Sequence, residues 1–276
     1  MSDFDSSSHE SFVDYYAKES QSDQTLQRFS SMRACVLRVL QRERREYRTH
    51  TLEVVDIGCG AGTQSILWAE LGCQVHALDV SERLLELARK RSEEAGYTID
   101  FRLGSAVDLP WPDASMDVCL VPELLEHVAD WKSCLKEFAR VLRPKGVLFL
   151  TTSNKLCPFQ HEFNLPFYSW YPSRIKRYYE RLAITSRKDL CNYASYPAVN
   201  WFTFYGLRTV LGQYGLRCYD RFDVMDLSKK GKMARLLVSA INMSPLLRWL
   251  AHVATPSTTV IALNSVPSLN RTNSIG

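Results

Sequence analysis

From Leu52 to Thr152 the chain alternates short apolar, β-branched runs with amphipathic runs, five times over about 100 residues. The apolar runs are "LEVVDIG", "CQVHALD", "TIDFRLG", "MDVCLV" and "VLFLTT". Their length and β-branched content predict buried strands. Between them, Thr63 to Leu71 reads as a helix closed by Gly72. Ser81 can cap a second helix carrying Leu84, Leu85, Leu87 and Ala88 on one face. Asp130 can cap a third, with Leu135, Phe138, Ala139 and Leu142 in register. Few arrangements bury such a pattern. It predicts a parallel sheet with helices on both faces, joined by right-handed crossovers. Ligands of such sheets bind at the carboxyl ends of the strands.

One strand end is distinctive. In "VVDIGCGAG" the order is Asp56-x-Gly58-x-Gly60-x-Gly62. A dinucleotide turn wants Gly-x-Gly-x-x-Gly, but here Thr63 stands at the third glycine position. Asp79 ends the second strand, where its carboxylate can accept both hydroxyls of a ribose. These features together point away from a nicotinamide dinucleotide.

"VVDIGCGAG", "ALDVS", "GSAVDLPWPDASMDVCLV" and "VLRPKGVLFLTT" occur in the order found in class I S-adenosylmethionine-dependent methyltransferases, and the chain resembles that family, in particular its type 11 group. The resemblance implies a Rossmann-like, seven-stranded, mostly parallel α/β sheet with helices on both faces and an antiparallel last strand. "LRCYDRF" and "TTVIAL" fit the final two strands. It also implies S-adenosylmethionine as cofactor. On the matching positions, Asp56, Gly58, Cys59, Gly60 and Gly62 would form the methionyl cradle. Asp79 and Val80 would meet the ribose and adenine, with Ser105, Ala106 and Pro122 completing the wall. Glycines let backbone approach a ligand closely, and a helix N-terminus suits a carboxylate. Ser105 departs from the Asp common in the family at that place. "YYAKESQSDQTLQRF" resembles the segment that covers the cofactor, with Tyr15 or Tyr16 over the methionyl group and Arg28 or Arg33 at its carboxylate.

After the fourth strand comes "PELLEHV", which reads as a helix start with Pro122 in its first turn. On a helix Glu123, Glu126 and His127 share one face. Glu-x-x-Glu-His is similar to the pattern in the ubiquinone-biosynthesis O-methyltransferase family, where it is associated with magnesium. Three readings stand side by side. The three residues hold Mg2+; or His127, with Glu123 beside it, acts as general base; or the segment has a structural or cofactor-facing role, with the acids stabilising a helix start.

Four regions are expected: a tail and covering helices over 1–45, the binding core over 46–154, an aromatic-rich lid over 155–200, and completion of the sheet over 201–276. Residues 159–205 hold 14 aromatics in 47 positions. "FNLPFYSWYP" can line an apolar acceptor pocket or form its own small core. Residues 174–188 carry six basic side chains and one acid, a solvated face or a seat for an anionic partner. In the insertion at 229–254, Met233, Leu236, Leu237, Ala240 and Ile241 form one helical face. It reads as core, as dimer surface, or as a peripheral membrane contact.

The bulk numbers exclude several classes. A net charge of +4 on 276 residues does not call for nucleic acid, and no DNA partner is expected. The eight cysteines form no CxxC pair, so they read as small buried hydrophobes in a reducing, cytoplasmic setting. The polar N-terminus has no signal-peptide core. No run of about 18 apolar residues is present. The expected activity is methyl transfer to an oxygen of a small or lipid-like molecule. RNA methylation, or a non-catalytic cofactor-binding partner protein, are the alternatives.

Overall fold

The computed structural model describes residues 18–43, 49–160, 162–191, 198–228 and 230–265. Tyr15 and Tyr16 lie outside the described residues. Helix α1 spans Asp23–Glu43 and precedes strand β1 (Glu53–Ile57). Then come α2 (Thr63–Ala69), β2 (Gln74–Asp79), α3 (Glu82–Glu94), β3 (Asp100–Leu103) and β4 (Met116–Pro122). Helix α4 (Trp131–Val141) runs into β5 (Leu142–Ser153). After an irregular insertion holding α5 (Ser173–Thr185), the chain forms α6 (Phe204–Gln213) and β6 (Leu216–Tyr219). Helices α7 (Lys232–Met243) and α8 (Pro245–Val253) lead to β7 (Ser257–Asn264).

The seven strands form one sheet in the order β3-β2-β1-β4-β5-β7-β6. β7 runs antiparallel to both β5 and β6, and the remaining pairs are parallel. The late antiparallel pair with a helical insertion is as the sequence predicts. Alternate residues of each strand serve opposite faces. Val54, Val118, Leu120 and Phe149 pack with Val36 and Leu40 of α1 and Trp68 of α2. Val55, Cys119, Val121 and Leu148 pack with Phe138 of α4 and Leu207 of α6. Ser81 and Asp130 cap their helices, accepting from the amides of Leu84 and Ser133. All eight cysteines are free thiols.

Three expectations change. Helix α2 stops at Ala69, because Leu71 and Gly72 turn back onto the carbonyls of Trp68 and Ala69. β6 ends at Tyr219 instead of running on through Phe222, the end of "LRCYDRF". The Asp220 carboxylate takes the amides of Phe222 and Asp223 and folds the backbone into a turn. And "PELLEHV" is not helical. Glu123 has φ 53°, which reverses the chain at the end of β4.

The insertion builds a core of its own. Phe163 stacks on Tyr168 with ring centroids 4.0 Å apart, and Ala183 and Leu190 close around them. Phe159, Phe167, Trp170 and Tyr178 stay exposed. The aromatic run therefore supplies a small core with some of its rings and leaves others at the surface.

At the other end, Asp220 is fully buried and holds two side chains of α8. Arg248 Nε donates to it at 2.7 Å, and His252 Nε2 lies 2.9 Å from it. His252 also stacks on Phe204. With one face of α8 fixed this way, Leu246, Trp249 and Leu250 point outward, as do Met233, Leu236, Leu237 and Met243 of α7. Among the described residues no single helix is long and apolar enough to cross a membrane, and α7 and α8 meet at a bend of 114°.

Candidate active site

The sheet order reverses between β1 and β4, and a crevice opens at the carboxyl ends of these strands. It widens into a cavity of about 440 Å3. Its floor is the glycine turn. The amides of Gly58 and Cys59 both donate to the carbonyl of Leu78, at 2.8 and 3.1 Å. Gly58, Gly60 and Gly62 all have φ between 52° and 76°. At Gly62 a Cβ would sit 2.9 Å from the Cβ of Ala88, so neither the dihedral nor the space admits a side chain. Gly62 packs α2 against α3 and does not itself line the cavity.

The other expected cofactor residues, Asp56, Gly58, Cys59, Gly60, Asp79, Val80, Ser105, Ala106 and Pro122, all line it. Asp79 is held by backbone: Oδ2 accepts from Gly60 N at 2.8 Å and Oδ1 from Ser81 N at 2.9 Å. Both oxygens are thereby fixed at the rim. Leu78, Val80 and Ala106 supply an apolar wall beside it. Arg28 lines the cavity and pairs with Glu123 at 2.7 Å. Arg33 turns instead to the carbonyl of Leu67 and to Glu70.

Asp56 is fully buried. Its Oδ2 accepts from the Ser65 hydroxyl at 2.7 Å, whereas Oδ1 has no partner. Burial pushes its carboxyl up to about 7, against the Ser65 bond, and Asp79 adds a smaller push in the same direction. Beside it stands a residue that sequence reasoning missed. Gln64 is 2% exposed, lines the cavity, and has neither its amide nitrogen nor its oxygen hydrogen-bonded. The readable signal was a lone amide in "TQSILWA", directly after the glycine turn. Unpaired buried polar atoms are costly, so this cavity is built for a ligand with both donors and acceptors and a positive charge near Asp56. The amino-acid end, ribose and cationic sulfur of S-adenosylmethionine fit that description.

The metal expectation fails on geometry. Without a helix, Glu123, Glu126 and His127 do not share a face. Glu126 turns inward, accepts from the Thr152 hydroxyl at 2.8 Å, and is held well above the usual carboxylate range by burial, with Glu123 adding to it. Glu123 turns to Arg28. Among the described residues no three His, Cys, Asp or Glu side chains converge as a metal set. The residues present do not fit Mg2+.

His127 stands at a junction. Together with Ala129 it lines the first cavity and a second one of about 1130 Å3 under the insertion. Burial lowers its imidazole to about 4, partly offset by Glu123, so the ring is neutral at pH 7. The turn that carries it is fastened to the returning insertion. Val199 N and Asn200 N donate to the Glu126 carbonyl at 2.9 and 3.1 Å. Asn200 Nδ2 donates to the carbonyls of Leu125 and Val128 at 3.1 and 2.6 Å.

Comparison with known proteins agrees with this geometry. Residues 55–150 match a family described as "Methyltransferase domain". Over 125 residues the chain is 40% identical to the ubiquinone biosynthesis O-methyltransferase of Xanthomonas axonopodis pv. citri (strain 306), covering 43% of this chain and 52% of that one. The chain thus spans about half the length of the curated relatives it matches. An S-adenosylmethionine-dependent methyltransferase from Mesorhizobium loti superposes with a TM-score of 0.53 at 18% identity, over 85% of this chain and 96% of that one. The cyclase SpnF superposes at 0.50 with 19% identity, over 86% and 81%, so the fold alone does not dictate the chemistry. The glycine turn, the backbone-held Asp79 and the matched stretch lie together: residues 55–150 match a methyltransferase domain, and the fold around them is that of a Rossmann-like methyltransferase of known structure.

Proposed function

We propose that the chain transfers a methyl group from S-adenosylmethionine to an oxygen of a small, lipid-like acceptor. The observation that carries this reading is that two cavities meet at one neutral histidine. Asp79 would hold the ribose, Asp56 would face the cationic end, and Gln64 would serve the polar amino-acid end. When bound, the cofactor supplies a methyl group on a positively charged sulfur. His127, neutral above pH about 4, accepts the proton of the oxygen nucleophile from the acceptor side. Holding both reactants against one wall contributes through alignment, on the order of 7–11 kcal/mol in well-oriented reactions. Oxygen as the acceptor atom and a lipid-like acceptor rest on the names of relatives that the match covers over about half their length.

The outer faces of α7 and α8 support a second element of the reading: contact with an anionic membrane surface. Leu236, Leu237, Leu246 and Leu250 are 47–66% exposed, and Lys230, Lys232 and Arg235 stand beside them. An apolar face flanked by cations suits the headgroup boundary of such a membrane. The eight free thiols favour a reducing, cytoplasmic side.

The test of activity supplies labelled S-adenosylmethionine with an extract and sorts the label into lipid, small molecule, RNA and protein. Label in lipid or small molecule supports the reading, whereas label in RNA, or none, overturns it. Flotation with phosphatidylcholine vesicles, with and without phosphatidylglycerol, tests the membrane element. Binding should require the anionic lipid and be lost in a Leu236→Glu, Leu237→Glu variant. No flotation, together with a concentration-dependent dimer that the same variant abolishes, assigns the face to a second copy instead.

A further inference from the structure

The second cavity differs from the first in its charge. Lys155, Lys176, Arg177 and Arg181 line it, against one acid, Glu180. Three of the cations come from α5, where Arg177 and Arg181 stand one turn apart on the same face and Lys176 lies on the adjoining one. Among the described residues none of the four has a carboxylate within ion-pair distance. Lys176 is only 9% exposed. Its ammonium donates to the Ser169 carbonyl at 2.9 Å and lies 4.7 Å from the centre of the Trp201 ring. Burial pulls its value down to about 8, and Lys155 adds to that, with Glu180 opposing. Such a cation is held at a cost that a bound anion would offset. The rest of the wall is aromatic and aliphatic: Trp170, Tyr171, Leu156 and Val199. The indole N–H of Trp201 is buried without a partner.

We propose that this chamber recognises a methyl acceptor carrying an anionic group, a carboxylate or a phosphate, next to an aromatic or aliphatic body. The anion sits against Lys176 with Lys155 beside it, Arg177 and Arg181 guard the entrance, and the body lies along Trp170 and Trp201. The acceptor oxygen then reaches the wall shared with the first cavity at His127. This deepens the methyltransferase reading and rests on it for the word acceptor. The anion site itself rests only on the chamber.

Three probes that share a phenyl ring test it by calorimetry on the full chain: benzoate, its near-isosteric neutral amide benzamide, and phenyl phosphate. At least one anion should bind tenfold or more tightly than benzamide. The comparison of the two anions tells carboxylate from phosphate. Lys176→Met keeps the length and the apolar stem, and should abolish that preference. Lys155→Gln with Arg181→Gln, both on exposed positions, should weaken it several-fold without changing the melting temperature. Equal binding of all three probes, no binding of any, or a preference unchanged in both variants overturns the proposal. S-adenosylmethionine is titrated into the same samples. Its failure to bind while benzoate binds would defeat the methyl-transfer reading and leave the anion site standing.

Discussion

Asp56 should make the ligand-free protein less stable as the pH rises, and removing its charge should cancel that loss. The carboxyl has an ordinary value of 3.8 and burial moves it to about 7 in the folded chain. Between these values the folded state binds the proton that the unfolded state has released, so stability falls with rising pH across this window. At 1.36 kcal/mol per tenfold change, the full effect is about 4 kcal/mol as an upper bound, since Asp56 lines a cavity that solvent can enter. About 3 kcal/mol of it falls between pH 5 and pH 8. Asp56→Asn keeps the shape and the acceptor for Ser65 but does not titrate. The assay is thermal unfolding of both proteins at pH 5 and pH 8. His127, Glu126 and Glu162 titrate in both proteins, so the difference between the two isolates Asp56. The variant should gain on the parent by roughly 6–12 °C on going from pH 5 to pH 8, at 2–4 °C per kcal/mol for a chain of this size. Saturating S-adenosylmethionine should close the gap at pH 8, because its positive charge compensates the carboxylate. A gap that is the same at both pH values would refute the reasoning.

Gln64→Ala should weaken cofactor binding by about tenfold or more, the scale of a lost buried hydrogen bond, while leaving the ligand-free melting temperature unchanged or higher; calorimetry and thermal unfolding separate the two. His127→Gln should lower kcat by about 10²–10⁴ with the cofactor affinity within a few-fold of the parent, and an equal loss in affinity would make the residue part of the cofactor wall only. Gly62→Ala should cost about 1–3 kcal/mol from its left-handed dihedral alone, with the clash on Ala88 adding to it, read as a lower denaturant midpoint.

Much of this was legible in the sequence because the signals were local. The five strands announce themselves by apolar runs, and the caps Ser81 and Asp130 by their position before amphipathic helices. The glycine turn and Asp79 carry their chemistry in spacing. What misled was "PELLEHV", where helical spacing gave three metal-ligating side chains a common face. One left-handed residue, Glu123, and the inward pull of Thr152 on Glu126 removed it. Such long-range pairings leave no mark in a single sequence. The same holds for Asp220, whose partners Arg248 and His252 lie 28 and 32 residues away and whose burial cuts β6 short. The charge run over 174–188 was visible at once. That Lys176 turns inward while Arg177 and Arg181 stay at the rim depended on where Tyr168 and Trp201 would pack.

The four hydrogen bonds between residues 199–200 and the turn at 125–128 also have a thermodynamic reading. They tie the lining of the second cavity to one wall of the first, so that under the proposed function the acceptor side and the donor side share a support. A ligand that orders one side removes part of the conformational freedom the other must lose on filling. Whatever factor the acceptor contributes to the affinity for the methyl donor, the donor returns to the acceptor. Affinities measured for either ligand alone will therefore understate those in the ternary complex when ordering dominates this coupling.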